Sequence, residues 1–194
     1  MERIYMHPAR RAERAPFLSI SHWLNTDGRI DLSELQGRVV VLCAFHMLCP
    51  NSVMHGLPQA MRIREAFDAE DVEVLGLHGS FETHETRGLL TLAAFLLQYG
   101  IDIPVGIDEP GNDVMPSTME TYGVAGTPSL VLIDRFGRLR SHVLGRPSDM
   151  QVGSTIAQLV AENKPQPVIR GRRPRLITPM DTAFTDGHAL WQGQ

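Results

Sequence analysis

The sequence predicts an α/β protein, a three-layer sandwich with helices on both faces of a central mixed sheet. Three observations predict it. The run Val39-Val40-Val41-Leu42-Cys43-Ala44-Phe45 is continuously apolar with β-branched residues, as a strand buried on both faces is, and Val72-Glu73-Val74-Leu75-Gly76-Leu77 reads as a second buried strand. Segments with helical apolar spacing alternate with them. A pair of extended runs around Arg135-Phe136-Gly137 then reads as a hairpin, followed by an amphipathic closing helix over Asp149 to Glu162.

Residues 1–16 read as an N-terminal arm, basic and without apolar period, ending at Ala15-Pro16. Phe17 to Trp23 supplies a short strand, and Asp27-Gly28 is a hairpin-type turn dipeptide. Leu32 and Leu35 lead to Gly37 and the first buried strand. Past Pro50, Val53, Leu57, Met61, Ile63 and Phe67 predict a helix that Pro58 kinks. A polar loop from His78 to Thr86 follows the second strand. Leu89 to Tyr99 predicts a helix capped by Gly100, Ile103 to Ile107 an extended segment, and Val114 to Tyr122 a short helix. Ser129 to Ile133 and Arg138 to Leu144 are the hairpin strands. The domain so predicted spans 17–163. Beyond it, residues 164–194 form a basic, proline-containing tail with Arg170, Arg172, Arg173 and Arg175, expected to be loose or draped on a neighbouring surface.

Composition narrows the function classes. The chain has 194 residues with 43% hydrophobic and 21% charged, ordinary for a globular domain. Its net charge of -4 gives no global attraction to nucleic acid or to an anionic membrane. No apolar run approaches the roughly 20 residues of a membrane-spanning helix, and no apolar stretch of a secretory signal follows the arginines of residues 1–14. Two cysteines, Cys43 and Cys49, are too few for a disulfide scaffold. The expectation is a cytoplasmic protein in a reducing compartment.

The chemistry gathers at Leu48-Cys49-Pro50-Asn51-Ser52, where a buried strand runs into a helix. That places Cys49 at a helix N-terminus, where unpaired N–H groups and the helix dipole favour an anion. A thiol in such a place is shifted from a pKa of about 8.5 towards roughly 3.5–7.5, and the thiolate is the nucleophile. Pro50 fits the first helical turn because its missing N–H is not needed there. Far downstream, Gly126-Thr127-Pro128 opens the Ser129 strand, and Pro128 is a candidate cis residue.

These motifs, with Ala15-Pro16, Asp27-Gly28, Tyr122-Gly123-Val124 and Leu132-Ile133-Asp134-Arg135-Phe136-Gly137, occur in an order that resembles the thioredoxin-like redoxins. The nearest likeness is to the TlpA/ResA-like and alkyl-hydroperoxide-reductase-like branch. Gly76-Leu77-His78, Phe81-Glu82 and His84-Glu85 further resemble a bacterial redoxin subgroup with a Cys-Pro-Gly-Cys site. The resemblance covers residues 15–163. It implies a thioredoxin fold, a cis Pro128 packed beside Cys49, and a Thr127 backbone that pairs with a bound thiol or peptide. It also implies a departure. Ser52 stands where the family has its second cysteine, and Leu48 where an aromatic residue often precedes the first.

A serine cannot resolve a mixed disulfide as a second thiol does. Ser52 can instead donate a hydrogen bond to the Cys49 thiolate. The catalytic candidates are therefore Cys49, Ser52 and His46, the last as a tuner or proton relay. Pro50, Thr127 and Pro128 are the candidate substrate-binding residues. Cys43 reads as inert core, and His55 as a solvent-facing residue near Ser52. His78, Glu82, His84 and Glu85 lack the spacing of a helical zinc site, so no metal and no cofactor are expected.

The leading functional expectation is a thiol-dependent oxidoreductase acting through one cysteine on a protein or small-molecule thiol or disulfide. One alternative is a one-cysteine peroxidase with a peroxide substrate, although His46 and Leu42 stand where peroxiredoxins carry threonine and proline. Another is a redox-inactive protein-binding module. A homodimer is compatible with each.

Overall fold

The computed structural model describes residues 12–79, 85–111 and 115–162. Six strands form one mixed sheet: β1 (Ile20–Leu24), β2 (Val39–Phe45), β3 (Val72–His78), β4 (Val105–Asp108), β5 (Ser129–Ile133) and β6 (Leu139–Leu144). Their order across the sheet is β1-β4-β3-β2-β5-β6. Strands β2, β3 and β4 run parallel, whereas β1, β5 and β6 pair antiparallel with their neighbours. Among the described residues there are four α-helices: α1 (Leu57–Ala66), α2 (Glu85–Gln98), α3 (Ser117–Thr121) and α4 (Asp149–Glu162). This is the predicted α/β architecture with a central mixed sheet.

The apolar run of β2 is buried throughout because its two faces feed two cores. Val39, Val41, Cys43 and Phe45 pack with Leu57, Ala60 and Ile63 of α1, Leu92 and Leu96 of α2, and Val152, Ile156 and Leu159 of α4. Val40, Leu42 and Ala44 face the other way, onto Leu75, Leu77, Met119, Tyr122 and Leu35. Each large aliphatic side chain buried this way contributes about 1.5–3 kcal/mol. Such a strand is rigid, and its C-terminal end is where the site is built. At the opposite corner, fully buried Arg140 of β6 pairs with Asp134 at 3.3 Å and with Glu162, tying the end of α4 to the hairpin.

Several local expectations are corrected. Asp27-Gly28 closes no hairpin, because the antiparallel partner of β1 is β4, some eighty residues on. The bend there is held instead by Asn25, whose side-chain amide donates to the Ile101 and Ile103 carbonyls. The helix after Pro50 departs from regular α geometry just before Pro58. The irregularity is a π-helical turn over Ser52–Gly56, and Pro58 stands in the first turn of α1 that follows it. The short helix expected from Val114 begins at Ser117, where the buried Asp108 carboxylate accepts the N–H groups of Thr118 and Met119.

Within the predicted arm, residues 13–15 pair with the β5–β6 turn: Ala15 N–H donates to Gly137 and Leu139 N–H to Glu13, both at 2.8 Å. The tail, residues 164–194, lies outside the described residues.

Candidate active site

Cys49 follows the C-terminal end of β2 by four residues. A tight turn carries it there, with Cys49 N–H donating to the His46 carbonyl at 3.0 Å. Its own carbonyl accepts the Val53 N–H at 3.1 Å, so Cys49 caps the helical turns that begin at Pro50. The side chain is partly exposed, and neighbouring Leu48 projects into solvent.

The peptide bond between Thr127 and Pro128 is cis, as the glycine-led turn predicts. The Cys49 sulfur lies 3.5 Å from the Thr127 carbonyl oxygen. The two segments the sequence singles out, 78 residues apart, are thus in contact. Pro128 is buried against the π-helical turn, and Gly56 makes that approach possible. A Cβ at position 56 would lie 2.6 Å from Pro128 Cβ and 4.0 Å from the Cys43 sulfur. Gly56 is a site residue that sequence reasoning missed, since nothing local marks a glycine as facing a proline seventy-two residues away.

Ser52 is wholly buried beneath the site. Its oxygen accepts the His46 N–H at 3.4 Å, which leaves its own proton for the sulfur. Burial pushes the Cys49 thiol up. The Ser52 hydroxyl and N–H, the Thr127 hydroxyl and the Asn51 N–H outweigh that, and the thiol sits below its ordinary range. The Thr127 carbonyl acts in the opposite sense, because it accepts only from the protonated sulfur. The groups that favour the anion outnumber it. Cys43 has no such helpers: it is fully buried, and burial pushes its pKa up to about 12.

The remaining candidates separate. His46 is half-buried, and its Nδ1 accepts the Leu48 N–H at 3.3 Å, so the ring is engaged with the loop backbone. Pro50 is exposed at the first helical position. His55 is half-buried on the π-helical turn. His78 is buried and stacks on His46, a partnership that two residues thirty-two apart do not announce in sequence. Glu82 and His84 lie outside the described residues, and Glu85 opens α2. Among the described residues no three His, Cys, Asp or Glu side chains gather as metal ligands would.

A crystal structure of a thioredoxin-like superfamily protein is 48% identical to the chain, covers 79% of it and 100% of its own length, and superposes with a TM-score of 0.75. The chain belongs to the thioredoxin-like superfamily. Another thioredoxin-like neighbour, the crystal structure of a thiol-disulfide isomerase from Corynebacterium glutamicum, is 39% identical over 76% of this chain and 97% of its own, with a TM-score of 0.70. Among curated sequences, the thiol-disulfide oxidoreductase ResA of Bacillus anthracis is 27% identical over 124 residues. The chain spans 65% of that protein and 16% of NHL repeat-containing protein 2 from Gallus gallus, which it also matches. No protein-family model matches the chain. Three residues after Cys49 this chain carries Ser52, whose side chain is buried.

Proposed function

We propose that the chain is a thiol-disulfide oxidoreductase that works through the single nucleophile Cys49. The observation that carries this reading is the convergence on one sulfur of the Ser52 hydroxyl, the helical N–H groups and the Thr127 turn, with a lowered thiol pKa as the consequence. The likeness to a thiol-disulfide isomerase and to the oxidoreductase ResA supports the same reaction class.

The chemistry follows from the thiolate. Cys49 attacks one sulfur of a disulfide, a Cys49–S–S–R bond forms, and the other half leaves as a thiolate. Ser52 carries no sulfur to displace the trapped half. An external thiolate, such as glutathione or a protein thiol, attacks the mixed disulfide at the substrate sulfur and returns Cys49 as the thiolate. The net result is exchange of one disulfide partner, without a dithiol intermediate inside the chain. Such a cycle suits the cytoplasm, where small reduced thiols are abundant.

Incubating the full chain with oxidised glutathione and mapping peptide masses tests the reading. A glutathione adduct on Cys49 is expected. An adduct found on Cys43 alone would overturn it.

A further inference from the structure

His78 closes β3 against the loop that carries Cys49. Its ring is 5% exposed, stacks on His46 with centroids 5.3 Å apart and planes 19° apart, and meets Phe45 edge-on at 5.2 Å. The Met47 N–H donates to His78 Nε2 at 3.4 Å, and the next N–H, of Leu48, donates to His46 Nδ1 at 3.3 Å. Two consecutive amides of the active-site loop therefore end on the two rings of one stack. The third, of Cys49, ends on the His46 carbonyl.

An imidazole nitrogen accepts a hydrogen bond only when it carries no proton. The contacts thus specify neutral rings in defined tautomers, with the His78 proton on Nδ1. That Nδ1 is buried and has no hydrogen-bond partner among the described residues. A polar group left bare in a packed interior needs a reason, and the loop supplies one. The tautomer that serves Met47 is the one that strands Nδ1.

We propose that His78 is a positioning residue for Cys49: its neutral ring, stacked on His46, anchors the Met47-Leu48 backbone and so holds the sulfur against Ser52 and Thr127. The inference rests on Cys49 being the nucleophile. Burial is the main cause that brings the His78 pKa down to about 4, and repulsion from His46 whenever that ring is protonated adds to it, which keeps the His78 ring an acceptor at neutral pH. The titratable group that faces it from the loop is His46. From β2 its paired residue is Phe45, and from β4 it is Ile107, while the adjoining Asp108 carboxylate is occupied by the N–H groups of α3. Both loop contacts are long, so the anchoring is graded rather than all-or-none.

The test pairs two variants of the full chain with a measurement on the unaltered one. His78→Gln keeps an acceptor near the Nε2 position, whereas His78→Phe keeps bulk and loses the acceptor. Cys49 alkylation at neutral pH should slow about three- to tenfold in His78→Phe and stay within about twofold in His78→Gln. A role in packing alone would reverse that order and overturn the proposal. Should either variant fail to fold, nitrogen NMR of the unaltered imidazoles decides. A proton on His78 Nδ1 with Nε2 bare is expected, and a proton on Nε2 would overturn the anchoring. Should unaltered Cys49 alkylate no faster than an ordinary thiol while that tautomer holds, the nucleophile reading fails and the anchoring does not.

Discussion

Cys43 and Cys49 stand six residues apart on one strand and the turn that follows it, and they are chemically opposite. Cys43 lies inside β2, wholly buried among side chains of α1 and α4, and burial alone drives its pKa up to about 12. Cys49 has crossed from the sheet into the start of a helix, where hydroxyls and unpaired N–H groups hold its thiol below the ordinary range. What a cysteine does in this fold depends on which backbone groups are left to serve it. Within the strand every N–H belongs to the ladder, and at the helix start several belong to nothing else.

The largest expected effect is the contrast itself. At neutral pH a thiol with a pKa of about 12 is ionised in only about one molecule in 10⁵. Iodoacetamide should therefore label Cys49 of the native chain at least about a thousandfold faster than Cys43. Peptide mass mapping reads this, and comparable labelling of the two would break the comparison.

The next effect concerns the loop between them. An unfolded histidine titrates near pH 6.5, whereas folded His78 does so at about 4. Above pH 6.5 the ring is neutral in both states and its contribution is constant. Between the two values the unfolded chain binds a proton that the folded one refuses, so stability falls as pH falls, by about 3 kcal/mol in all, and then levels. Urea melts across that window should show the slope in the unaltered chain and its loss in His78→Gln. Identical slopes would contradict the burial argument.

Gly56→Ala gives a smaller change. Alanine is the better helix former by about 1 kcal/mol, yet its Cβ would meet Pro128 at 2.6 Å. Overpacking of that kind costs about 1–3 kcal/mol, so denaturant melts should show a net loss and Cys49 alkylation should slow. A gain in stability would show that the π-helical turn moves freely away from Pro128. The smallest effect is that of Ser52→Ala. Losing one hydroxyl among several helpers should slow Cys49 alkylation at neutral pH about threefold, and an unchanged rate would remove Ser52 from the site.

The same contrast governs what could be read in advance. Strand β2, strand β5, helix α4, the cis Pro128 and its meeting with Cys49 were legible, because local apolar period and a family-like motif order specify them. The pairing of β1 with β4 was not, since Asp27-Gly28 carries only local turn chemistry and the partner lies far along the chain. The π-helical turn, the Gly56–Pro128 approach and the His46–His78 stack were equally hidden. The last two are tertiary contacts that no local pattern announces: an interior glycine against a distant proline, and two histidines each singled out alone but not as a pair. The meeting of Cys49 with the Thr127-Pro128 turn was therefore readable, and the packing of Gly56 and His78 around it was not.

The central claim is that Cys49 is an activated thiolate. Its most direct test is the rate of Cys49 alkylation in the full chain as a function of pH, resolved by peptide mass. The account predicts an inflection clearly below the value of about 8.5 for an ordinary cysteine. An inflection at or above that value would contradict it.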